Sequence, residues 1–484
     1  MTGTTSGATG ATVATAAIAA TRLLAARRSL ADAGAVLDGP VPGWTGPAAA
    51  AATATRAVLA DRHRALVADV DGVLAALGAA ALALGAGVAP AAVDAALAAA
   101  LERAGHETPT PTPTPTLTTG GSGPDPGAVA RWWADLDPAT RAVLERDRPT
   151  LVGGLDGLPA PARDRANRVV LAAAQEQARG EETAARDRLA RTRNPVELAE
   201  VGWQLHEVRE RLARLGAVAA ALDRPGRALL DLEVDPDGRP GQGVRAAVAR
   251  GDVDTARDVA VFTPGFTTGV GELPARLDEL DALADAAGPG TAAVAWYGYD
   301  APQADEVADP DRSVLGRAPA TEGGHRLASF LDGLDAARPG AQPDAHVTAI
   351  GHSYGSVVTA AALAPGGAGG VDDVVYLGSP GVGPSPGRPP GHAWVVEAAG
   401  DPTADTGWFG PDPNRMPGVT GLSAREVALP DGRVLAESRG HHAYLTPGTT
   451  SAANVAAVVG GRPQDTVLDR GVDAGDRLRR LVGG

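Results

Sequence analysis

The chain has 484 residues, enough at roughly 100–200 residues per domain for two to four domains and a large core. Its 43 basic residues are all arginine and face 58 acids, a net charge of -15 that disfavours nucleic-acid partners and leaves no lysine for a Schiff base or P-loop. Cysteine is absent, which excludes disulfides, thiolate metal sites and cysteine nucleophiles and leaves the chemistry to Ser, Thr, His and carboxylates.

The first residues are small and polar, and the first positive charge is Arg22, the reverse of a secretory leader. No cleaved leader is expected, so the protein is cytoplasmic or exported without one. Residues 1–106 read as an Ala-rich helical hairpin domain: one helix to about Leu37, a second from Pro47 to about Leu84, and a third opened by Pro90. The uncharged run between Asp71 and Asp94 is mostly Ala and Gly and is broken by Pro90, so no stable membrane span is expected. Between the first two helices stands Gly43-Trp44-Thr45-Gly46. This turn resembles that of the WXG-type hairpins of type VII secretion, which implies a small helical partner. The Tyr-x-x-x-acid signal that accompanies such hairpins is missing from the third helix.

From Thr108 to Pro115 threonine alternates with proline, which forbids helix and favours extended polyproline II. Residues 107–126 are therefore read as a Thr/Pro/Gly linker. Residues 127–225 read as a helical region packed on or capping the domain C-terminal to it. They include Trp132-Trp133, the cap-plus-first-turn pair Asp137-Pro138, the turn 153–159, and long charged helices to about Leu222.

From Gly226 the pattern changes, and residues 226–484 read as an α/β catalytic domain. Strands are expected at Ala228–Val234, Val244–Ala249, Val259–Phe262, Ala292–Trp296, His346–Ile350, Val374–Leu377 and Trp394–Ala398. Helices are expected at Leu273–Ala287, Gly323–Ala337 and Ser356–Leu363. Strand and helix alternating at this spacing argue for a mainly parallel sheet covered on both faces, with the first three strands at an antiparallel or mixed edge.

Gly351-His352-Ser353-Tyr354-Gly355 fits the G-x-S-x-G nucleophile elbow, and so does Gly383-Pro384-Ser385-Pro386-Gly387. An elbow needs a strand before it, a helix after it, and a backbone N–H on the residue following the serine. Pro386 has no N–H, so the second match fails. The first has all three, which makes Ser353 the candidate nucleophile and the Tyr354 N–H one oxyanion donor. A serine needs a base, and the base needs a carboxylate to hold its tautomer. In the chain order Ser, Asp, His, the acid is Asp401 in the first turn past a strand, with Asp405 in reserve. The base is His441 of the pair His441-His442. The second oxyanion donor is expected in the loop after Val259–Phe262, from Phe266 or failing that Thr267. Tyr297, Tyr299 and Asp300, just beyond another strand, are candidate substrate-binding residues. Phe266, Trp408 and Phe409 favour an apolar substrate. Adjacent histidines do not have metal-ligand spacing, so neither a metal nor a cofactor is expected.

The stretch from about 127 to 462 resembles an actinobacterial α/β-hydrolase family of unknown function. The likeness rests on Trp132-Trp133, Leu155-Asp156-Gly157-Leu158-Pro159, Arg163-Asp164-Arg165-Ala166-Asn167-Arg168 and Trp296-Tyr297-Gly298-Tyr299-Asp300-Ala301-Pro302. It also rests on Gly351 to Ser356, Gly378-Ser379-Pro380-Gly381, and Gly440-His441 followed by Tyr444 and Pro447-Gly448, the last favouring His441 over His442 as base. Gly154 and Thr263 depart from the residues usual there, Asn and Val. The resemblance implies the α/β-hydrolase fold and a serine hydrolase of the esterase or lipase type, acting on small-molecule or lipid esters through an acyl-enzyme. A type VII secretion-linked binding or effector protein is the alternative.

Overall fold

The computed structural model describes residues 124–469 except 236–241, 308, 310–311, 339–343, 384–391 and 405. The hairpin expected over 1–106, the linker up to residue 123, the second elbow match at Ser385 and the reserve acid Asp405 lie outside the described residues.

Eight strands form one sheet: β1 (Arg227–Val234), β2 (Val244–Arg250), β3 (Asp258–Thr263), β4 (Thr291–Tyr297), β5 (His346–His352), β6 (Asp373–Leu377), β7 (His392–Val396) and β8 (Val419–Leu422). Their order is β1-β2-β4-β3-β5-β6-β7-β8, with β2 antiparallel to both its neighbours and β3 through β8 parallel. The mainly parallel sheet read from the sequence is present. The expected three-stranded edge is corrected: β1 and β2 form it, whereas β3 lies inside the sheet between β4 and β5. Every residue of β3 is buried, as a strand covered on both faces requires. Strand β8 escaped the sequence reading because Val-Thr-Gly-Leu is short and half-exposed.

Helices preceding the sheet are α1 (Pro126–Asp135), α2 (Pro138–Asp147), α3 (Pro149–Gly154), α4 (Ala160–Arg191) and α5 (Pro195–Ala221). Proline opens α1, α2 and α5, and Asp125, Asp137 and Asn194 accept from the orphan N–H groups just inside. Within the sheet run α6 (Leu273–Ala287), α7 (Ala318–Ala336), α8 (Tyr354–Ala362) and, unforeseen from sequence, α9 (Thr450–Val459). Helices α6 and α9 cover one face with Leu273, Leu277, Val455 and Val459, joined by Leu215 and Val218 of α5. The other face is covered by α7 and α8 through Leu327, Phe330, Val357 and Val358. Each fully buried side chain of this size contributes about 1.5–3 kcal/mol, so the two layers hold the parallel strands, and the loops at their ends, in fixed register.

Both lateral edges of the sheet are occupied. On the β1 side, Asp164 of α4 accepts from the Leu229 N–H at 2.7 Å, while Asn167 and Arg168 donate to the carbonyls of Leu229 and Arg227 at 3.1 Å each. This explains three members of the Arg-Asp-Arg-Ala-Asn-Arg run: Asp164, Asn167 and Arg168 satisfy the backbone of an edge strand, while Arg163 pairs with Asp156 and Arg165 with Glu145. On the β8 side, residues 467–469 pair back, with Ser423 N–H to Val467 O at 2.8 Å and Asp469 N–H to Gly421 O at 2.9 Å.

Candidate active site

Ser353 stands at the junction of β5 and α8 with φ 55° and ψ -129°, a conformation that a residue with a Cβ adopts only under constraint. The constraint is visible. The Ser353 N–H donates to Leu377 O at 2.9 Å, and Ser356 Oγ donates to Ser353 O at 2.6 Å while meeting Ser379 Oγ at 2.7 Å. The loop after β3 crosses directly over the serine, and there Gly265 is obligatory. A Cβ on Gly265 would stand 2.7 Å from Ser353 Cβ and 3.0 Å from Tyr354 N. Tyr354 is the first residue of α8, so its N–H has no acceptor within the helix and sits at the positive end of the helix dipole.

His441 reaches the same place from the loop before α9. Its Nδ1 lies 2.9 Å from each carboxylate oxygen of Asp401, whose side chain is fully buried. Asp401 also accepts from Tyr444 Oη at 2.5 Å and from the Thr403 N–H at 2.8 Å. Burial alone would raise this carboxyl, but the hydrogen bonds from His441, Tyr444 and Thr403 outweigh it and hold Asp401 below the ordinary value. Gly378 makes room for the pair, since a Cβ there would fall 2.5 Å from Asp401 Oδ2 and 2.9 Å from Tyr444 Oη. Tyr444 entered the sequence reading only as part of a motif. Its contact with the carboxylate depends on a fold-level approach that spacing does not encode. His442 lies edge-on to His441, ring centroids 5.3 Å apart.

Ser353, Tyr354, Phe266, His441 and His442 all line one cavity of about 560 Å³, a size suited to a small-molecule ligand. Phe266, Val314, Leu315, Trp408 and Phe409 provide apolar walls, and Glu272 and Arg276 add charge. Trp408 Nε1 donates to Leu315 O at 3.1 Å, joining two of the wall loops at a point where both side chains are exposed. Glu272, Arg276 and Leu315 come from loops and helix starts remote in sequence from the elbow, with no local signal to mark them. Burial raises the Glu272 carboxyl, opposed by nearby Arg276.

Tyr297, Tyr299 and Asp300 do not line the cavity that holds Ser353. They border a separate, small cavity behind the loop after β3, with Pro264 and Gln303. Tyr299 stacks on Trp296 at 6.0 Å and donates its hydroxyl to Pro264 O at 2.8 Å, while Asp300 pairs with Arg245. Tyr297 is buried in the core. The Thr267 N–H donates to Pro302 O at 2.9 Å, which engages the reserve oxyanion donor. The Trp-Tyr-Gly-Tyr-Asp-Ala-Pro motif thus braces the loop that covers Ser353.

A family model described as alpha/beta hydrolase matches residues 239–411, a span that contains Ser353 and Asp401. An uncharacterized protein of Mycobacterium tuberculosis is 36% identical over 257 residues, covering 49% of this chain and 91% of that one. A second uncharacterized protein of the same organism is 34% identical over 276 residues, covering 53% of this chain and 40% of the other. Among solved structures, a hyperthermophilic esterase from Pyrobaculum calidifontis is 14% identical over 56% of this chain and 98% of its own, with a TM-score of 0.32.

Proposed function

The chain belongs to the alpha/beta-hydrolase family, and from that membership and the geometry around Ser353 we propose that it is a serine-dependent hydrolase of carboxylic esters. One observation carries the reading. A histidine whose Nδ1 is held by a buried carboxylate lines the same cavity as a serine held in a strained elbow.

In this reading His441 Nε2 takes the Ser353 hydroxyl proton as Oγ bonds to the ester carbonyl carbon. The resulting oxyanion is held by the N–H groups of Tyr354 and Phe266. Asp401 stabilises the imidazolium without itself taking the proton. Collapse breaks the bond to the alcohol oxygen, which receives the proton from His441. Water, deprotonated by His441, then attacks the acyl-Ser353 carbonyl carbon; collapse breaks the bond to Oγ, which takes the proton back from His441, and the acid is released. The walls formed by Phe266, Leu315, Trp408 and Phe409 favour an apolar acyl group or a lipid ester.

The test is covalent labelling by a fluorophosphonate, read as intact mass, beside turnover of a p-nitrophenyl ester series of increasing chain length. Wild type should label once and hydrolyse, while Ser353→Ala and His441→Ala should do neither. Full esterase activity in Ser353→Ala would overturn the reading.

A further inference from the structure

His352 ends β5 immediately before Ser353, and its ring is buried against Phe262 of β3, centroids 6.4 Å apart and nearly parallel. The ring of His441 is 4.8 Å away and that of Tyr444 5.8 Å. Its Nε2 lies 2.7 Å from the backbone carbonyl oxygen of His441. A carbonyl can only accept, so His352 is the donor and holds its proton on Nε2. Burial, helped by neighbouring His441, pushes its pKa down to about 3, so the ring is neutral.

Three of the contacts that hold the loop carrying His441 lie at or beside that residue. The Gly440 N–H donates to Ala399 O at 3.0 Å, and the His441 ring meets Asp401. Both of these join it to the segment after β7. The third tether, from His352, joins it to the strand that carries the serine. The Asp401 contact fixes one edge of the imidazole and reaches β5 only by way of β7 and β6. A donor on His441's own carbonyl ties that main chain directly to β5. An error of about 1 Å between a base and its nucleophile is enough to cost on the order of 100-fold in rate.

We propose that His352 is a positioning residue which, through its Nε2–H to the His441 carbonyl, sets the distance between His441 and Ser353. The proposal rests on the reading of Ser353 as nucleophile.

The experiment compares wild type, His352→Leu and His352→Gln in three measurements: kcat and KM on a p-nitrophenyl ester, the rate of fluorophosphonate labelling, and the histidine tautomers in ¹⁵N NMR spectra. His352→Leu should lower kcat and the labelling rate by about 10–100-fold with KM changed less than about threefold. His352→Gln, whose terminal NH₂ can reach the same carbonyl, should recover most of that loss. The wild-type ring should appear as the Nε2–H tautomer. Turnover in His352→Leu equal to wild type overturns the proposal, as does a folded His352→Gln that is as slow as His352→Leu, or an Nδ1–H tautomer. If wild type neither labels nor hydrolyses any ester, the hydrolase reading fails; the tautomer then separately decides whether the contact exists.

Discussion

The hydroxyl of Tyr444 donates to Asp401 Oδ2 at 2.5 Å while accepting from the Ala398 N–H at 3.0 Å, so one buried phenol ties the acid to the end of β7. The Asp401 carboxyl is held low partly by this bond. A carboxyl depressed in the fold stabilises the protein above the pKa of an unfolded Asp, about 3.9, and loses that contribution as pH falls through its folded value. Tyr444→Phe should therefore cost about 1–3 kcal/mol at pH 7, and the gap to wild type should narrow below about pH 4. Urea unfolding at pH 7 and at pH 3.5 reads this; an equal deficit at both would refute it.

The elbow stores strain at Ser353, where φ is 55°. Glycine relieves that strain at some cost in unfolded-chain entropy, so Ser353→Gly should be more stable than wild type by about 1 kcal/mol while failing to label. Equilibrium denaturation decides it, and a destabilised variant would count against a strained elbow.

Gly265 is packed against the serine it covers. Gly265→Ala forces the loop and the elbow apart against backbone contacts, so it should lower stability and also lower the labelling rate by about 100-fold as the N–H groups of Phe266 and Tyr354 separate. Thermal unfolding followed by circular dichroism, together with labelling kinetics, checks both halves. Normal labelling would mean that this loop plays no part in catalysis.

Tyr299 braces the same loop from behind through Pro264 O. Tyr299→Phe should lower kcat by about 3–10-fold with KM within about twofold, the pattern of a support rather than a substrate contact. A raised KM at unchanged kcat would place Tyr299 in the substrate-binding role.

Asp231 of β1 sits far from this chemistry, on a larger cavity of about 810 Å³ that it shares with Asp156, Glu233 and Arg326. Burial raises its carboxyl to about 6, with Arg163 opposing and Asp156 and Glu233 reinforcing the shift. A raised carboxyl favours the fold below about pH 4, and that contribution is lost as pH rises through 6. Asp231→Asn should therefore stabilise the protein at pH 7.5 by about 1–2 kcal/mol and have little effect at pH 4. Thermal unfolding at the two pH values tests the sign.

Much of this architecture could be read from the chain because it is local. The parallel strands are continuous apolar runs, and the elbow carries its own strand, glycines and helix within a few residues. Asp401 was marked by chain order and its position past a strand end, and His441 by chain order and the motif around it. Tyr297, Tyr299 and Asp300 were singled out by the same rule of position past a strand end. A residue just past a strand is near the active end, but its side chain can turn toward the cavity or back onto the neighbouring loop, and here it turns back. Residues whose roles depend on distant segments meeting, such as Tyr444 at Asp401, His352 at the His441 carbonyl, and Leu315 beside Trp408, leave no periodic or spacing signal.

Helix α4 clasps the backbone of β1 at Arg227 and Leu229, and residues 467–469 pair with β8 at Gly421 and Ser423, so these edge groups are already spoken for. At those positions a peptide can extend the sheet by adding a strand only if it first displaces part of the chain itself.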